Sequence, residues 1–110
     1  MKNKAILINS TTQTFTSVVV ESISDIRRLI GCDMFTCVTI SDRETIYVDD
    51  EGLLKNPQFF FKHSNYPDPL AGNGLILGFD MKSGDSKDTA YLPIDVAKVT
   101  EFYSINDLQF

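Results

Sequence analysis

The residues able to do chemistry are few and scattered. The one histidine, His63, follows Phe59-Phe60-Phe61-Lys62 and precedes Tyr66; Cys32 and Cys37 stand five apart; Asp49-Asp50-Glu51 close a run of strand-forming residues. A lone imidazole cannot build a histidine metal cage. A cysteine–histidine nucleophile would need a thiol beside His63 and an acid to orient the ring. Both cysteines read instead as reduced thiols packed as small, buried hydrophobes. Asp49, Asp50 and Glu51 offer the oxygens that hard cations take, but neighbours on an extended chain point to opposite sides. They read as a solvated turn and a charged rim. Gly72-Asn73-Gly74 leads into a strand rather than from a strand into a helix, the wrong order for a phosphate-cradling loop. No catalytic residue, metal or cofactor is expected.

The most suggestive neighbourhood is Phe60, Phe61, Lys62, His63 and Tyr66. Aromatic rings interleaved with a cation and an imidazole have the composition of a protein-interface hot spot. They also suit stacking on a base with a phosphate contact. A third reading puts two of the phenylalanines in the core and leaves the rest as loop; whether residues 59–61 lie inside or outside stays open. Arg27 and Arg28 are either solvated cations near a helix C-terminus or contacts for an anion or partner.

With 110 residues, the chain is expected to form a single domain, 1–110, with a core but little room for a deep internal pocket. Fifteen acids against ten bases give a net charge of −5. No cluster of Lys and Arg offers an electrostatic footprint for nucleic acid, so direct DNA or RNA binding is not expected. The apolar run Ala5-Ile6-Leu7-Ile8 is too short for a signal or membrane-spanning segment. The expected setting is soluble and cytoplasmic.

The elements follow from periodicity and punctuation. Lys4 to Ile8 and Thr14 to Val20 read as an N-terminal hairpin. Ser22 with Asp25 forms a capping-box pattern ahead of Ile23, Ile26, Leu29 and Ile30 at helical spacing, and Gly31 ends that helix. Met34 to Ile40, apolar on both faces, reads as a central strand paired with Glu44 to Val48. After the acid turn, Leu53-Leu54 should carry the chain back into the core. Residues 62–69 read as loop, Leu75 to Asp80 as another apolar strand, and 82–88 as a polar loop. Pro93 suits a first helical turn, and Val96, Val99 and Tyr103 fit a terminal helix, although a strand is also compatible with that segment. The result is an α+β domain: a mostly antiparallel sheet of about five strands with two helices packed on it, in the order β-β-α-β-β-β-α.

From about Ser24 onward the chain resembles a family of small phage- and plasmid-borne proteins known only as a domain of unknown function. The resemblance rests on Leu29-Ile30-Gly31, the paired strands, Asp50-Glu51-Gly52 followed by Leu53-Leu54, Asn56 near a proline, Leu70-Ala71-Gly72 before an apolar strand, and Leu92 before the last helix. It implies a mobile-element setting and carries no assigned activity or site residues. The expectation is a non-enzymatic accessory protein, in the cytoplasm of a bacterial host cell, that binds and modulates a host protein, such as an inhibitor of a defence system. The alternative is a sponge that sequesters a small nucleotide without cleaving it, with Phe60 or Tyr66 stacking and Lys62, Arg27 or Arg28 on phosphate, in a cleft between the subunits of a homo-oligomer; no membrane contact is expected under either reading.

Overall fold

The computed structural model describes residues 2–108. The hairpin of β1 (Asn3–Asn9) and β2 (Thr14–Val20) is followed by α1 (Ile23–Ile30). A second hairpin, β3 (Phe35–Thr39) and β4 (Glu44–Asp49), runs into a single 3-10 turn, Gly52–Lys55. Then come β5 (Phe59–His63), β6 (Leu70–Ala71), β7 (Gly74–Phe79), β8 (Ser86–Lys87), α2 (Pro93–Ala97) and β9 (Thr100–Ser104). The main sheet has the order β2-β1-β7-β4-β3, with β8 beside β7, and a smaller sheet has the order β6-β5-β9. Every pairing is antiparallel. This is an α+β fold, as the sequence pattern implies.

Alternation along β1, β4 and β7 gives the main sheet two apolar faces, and both are covered. On one face Ala5, Val20, Leu75 and Leu77 pack with Ile26 and Ile30 of α1. On the other, Ile6, Ile8, Ile46, Val48 and Ile76 pack with Phe61 of β5 and Val96 of α2. The central strand β7 is nearly all apolar because it meets a neighbour above and below. Gly74 is what lets the small sheet approach: a Cβ there would lie 2.4 Å from Cζ of Phe61.

α1 starts and stops as its sequence dictates. The Ser22 hydroxyl accepts from the Asp25 amide, and the Asp25 carboxylate accepts from the Glu21 and Ser22 amides. Gly31 closes the helix at φ 80°, its amide donating to the Arg27 carbonyl.

Several expectations are corrected. The terminal helix ends at Ala97, and Thr100–Ser104 is a strand pairing with β5 from Phe59↔Ser104 to His63↔Thr100. Tertiary pairing with β5 decides a segment whose own pattern fits either state. β3 is an edge strand rather than a central one, because among the described residues it pairs with β4 alone. Cys37 on that edge is exposed, whereas Cys32 is buried. Leu53 and Leu54 do not re-enter the core: they are 64% and 80% exposed.

Candidate functional site

β5 belongs to a short three-stranded sheet with two differently used faces. Phe61, beside Leu70 and Phe102 in the register, points to the main sheet and is fully buried. Phe60 is opposite Ala71 and Tyr103 and faces the other way. The segment after β4 covers it: Leu53, Asn56, Pro57, Gln58 and Ile105 surround Phe60 in a groove of about 360 Å³. Phe60 is the floor of that groove and is only 1% exposed. As direct surface contacts, Phe60 and Phe61 are therefore corrected to core residues. Phe59 is the ring of the three that reaches solvent.

The acid turn sits at the mouth of the same segment. Asp49 accepts from the Glu51 amide and from Nζ of Lys55 at 2.8 Å, and this carboxylate holds the Lys55 ammonium pKa above its ordinary value. Asp49 is thus a local brace. Asp50 and Glu51 stay exposed, and the Leu54 amide donates to the Glu51 carbonyl, which fixes the two leucines directly behind those acids. Asn56 takes a left-handed conformation at φ 51° and turns the chain toward Pro57 and Gln58. The result is an apolar groove lined by Leu53, with exposed Leu54 next to it in the chain and two exposed acids earlier in the same segment. Sequence reasoning missed Leu53, Leu54, Pro57 and Ile105 here. The available signal was two adjacent leucines straight after a tight turn, which cannot both face one core.

The remaining candidates do not converge on that groove. Tyr66 is half-buried against the main core, its amide donating to the His63 carbonyl. Lys62 lies opposite Glu101 on the outer face of β5. Arg27 and Arg28 are on α1, across the main sheet from β5, where they line an open hollow with Gly31, Cys32, Asp33 and Lys55. Arg28 is also 3.4 Å from Asp25. The structure does not bring these arginines together with Phe60 or Tyr66.

His63 is almost fully buried and lines a separate cavity of about 170 Å³ with Ser64, Asn65, Tyr91, Asp95, Val96 and Val99. Burial first, and the Lys62 charge second, lower its pKa. Its Nδ1 accepts from the Asn65 amide at 3.1 Å, so the neutral ring carries its proton on Nε2. A triad histidine has the opposite arrangement, with Nδ1–H on an acid and Nε2 free as base. Asp95 is engaged with the Leu92 amide as the cap of α2. Glu44, also buried, accepts from the Thr89 hydroxyl and the Ala90 amide and so pins the approach to α2. Among the described residues, no group of three or more His, Cys, Asp or Glu side chains is placed to hold a metal ion.

Residues 1–103 match the family described as Domain of unknown function (DUF3846). The chain belongs to that family. A curated relative, the "Uncharacterized protein y4iR" of Sinorhizobium fredii (strain NBRC 101917 / NGR234), is 29% identical over 96 residues. The aligned part covers 84% of this chain and 56% of the relative, so the chain spans little more than half of that protein's length. No solved structure matches. The family match extends the resemblance seen in the sequence to the N-terminal hairpin, and neither finding carries an activity. No helix among the described residues is long and apolar enough to cross a membrane.

Proposed function

We propose that the protein is a non-enzymatic binding protein of the cytoplasm that docks a host protein through the groove floored by Phe60 and lined by Leu53, together with the exposed Leu54, Asp50 and Glu51 of the same segment. The observation that supports this reading most is the exposure of Leu53 and Leu54, the first of which lines an apolar groove. Large exposed apolar side chains next to a concave apolar surface are what a partner's apolar residues cover. The Asp50–Glu51 edge selects a partner with a basic patch and speeds its approach at low salt. The mobile-element setting implied by the family resemblance makes a regulator or inhibitor of a host process the natural role.

The sponge alternative sets Phe60 or Tyr66 to stack and Lys62, Arg27 or Arg28 on phosphate; the two arginines lie across the main sheet from β5 and Phe60 is buried, which leaves the half-buried Tyr66 with Lys62. The docking reading is therefore preferred.

The test is co-purification from host cells, with a double variant, Leu53→Asp with Leu54→Asp, as comparison. Both positions are exposed, so the variant should keep its melting temperature. A partner retained by wild type and lost by this variant supports the reading. Equal retention by both proteins refutes it.

A further inference from the structure

The free edge of β3 is matched to itself. Residues Phe35-Thr36-Cys37-Val38-Thr39 carry no charge, in a chain with 25 charged residues out of 110. Exposed edges are ordinarily guarded by charge, proline or a bulge. The hydrogen-bond parity shows which backbone groups are unused. The Asp50 amide donates to the Met34 carbonyl, and the Ile40 amide to the Glu44 carbonyl, so the even-numbered positions face β4. Phe35, Cys37 and Thr39 occupy the alternate positions, and their amides and carbonyls point away from the sheet.

We propose that a second copy of this chain pairs with β3 in antiparallel register about a two-fold axis at Cys37. Cys37 then faces the second copy's Cys37, and Phe35 faces the second copy's Thr39 on either side. Every outward amide and carbonyl of the strand gains a partner, and the two six-stranded sheets become one continuous sheet. The isologous arrangement is closed, so it stops at two copies.

Charge argues for the same occupant. Continuing that register past the strand ends sets the second copy's Asp42 opposite Cys32. Cys32 lines a hollow with Arg27, Arg28 and Lys55; Arg28 pairs with Asp25 and Lys55 with Asp49, which leaves Arg27 as the cation for Asp42. The register brings the Asp42 carboxylate of each copy toward Arg27 of the other, twice by symmetry. The opposite edge, β2, is also uncharged, but α2 lies against it. A five-residue pairing buries less than the roughly 1,200 Å² of a standard stable interface, so the dimer is a weak one that forms at high concentration.

Native mass spectrometry and sedimentation over a concentration series test this. Wild type should show a species of twice 12.4 kDa that grows with concentration. Cys37→Pro removes an amide that β4 does not use, a position where an edge strand accepts proline; it should keep the far-ultraviolet circular dichroism spectrum and stay monomeric. Thr39→Lys, an exposed side chain on the same edge, gives a second reading should the proline variant unfold. Asp42→Lys should raise the dimer dissociation constant about five-fold. A short bis-maleimide should link wild-type subunits through Cys37 and leave Cys37→Ser unlinked. A wild type that stays monomeric at roughly millimolar concentration, or a dimer that survives both edge variants, overturns the proposal.

Discussion

At the scale of single residues, the aromatic run is used in three ways. Phe61 packs where a glycine makes room, Phe60 floors a groove, and Phe59 meets solvent. Replacing Gly74 by alanine places a methyl group into the Phe61 ring, so Gly74→Ala should lower stability by about 1–3 kcal/mol, read as a shifted urea midpoint with the slope unchanged. Phe61→Ala should cost more, about 3–5 kcal/mol. His63 sets a pH dependence of definite sign. Its folded pKa lies below the ordinary 6.5, so the fold binds fewer protons than the unfolded chain between the two values. Its stabilising contribution is complete above about pH 6.5 and is lost as pH falls toward the folded value. Urea midpoints measured between about pH 7.5 and pH 5.5 should fall for wild type, and fall less for His63→Gln. Equal falls would assign the effect to other groups.

At the scale of elements, punctuation was legible and partnership was not. The cap at Ser22, the stop at Gly31, both hairpins and the glycine turn before β7 follow from side chains acting within a few residues, and the structure has them all. Ser22→Ala should therefore cost about 1 kcal/mol, visible as faster amide exchange in the first turn of α1. What the sequence pattern could not give was which strand lies beside which. Residues 100–104 carry a pattern fit for helix or strand, and only the β5 pairing selects strand. β3 has apolar groups on both faces, yet it ends the sheet. The groove was missed for the same reason: Ile105 and Leu53 are far apart in the chain and meet only across Phe60. Glu44 illustrates a polar contact of this kind, holding Thr89 and Ala90 from 45 and 46 residues away. Glu44→Ala strips two hydrogen bonds from a buried carboxylate site and should cost about 2–3 kcal/mol, with amide exchange rising first in residues 88–92.

At the scale of the whole molecule, both faces of the main sheet are occupied, one by α1 and the other by the small sheet and α2. Recognition is therefore left to rims, edges and grooves. Salt should weaken partner capture at the groove by slowing association, because Asp50 and Glu51 act through long-range charge. The most direct measurement is photo-crosslinking in host cells with a benzoylphenylalanine placed at Leu54 and, as control, at exposed Lys82 in the β7–β8 loop. The account predicts one saturable adduct from position 54, absent from position 82, competed away by excess wild type and untouched by excess protein carrying Leu53→Asp and Leu54→Asp. The same adducts from both positions, or equal competition by the two proteins, would contradict it.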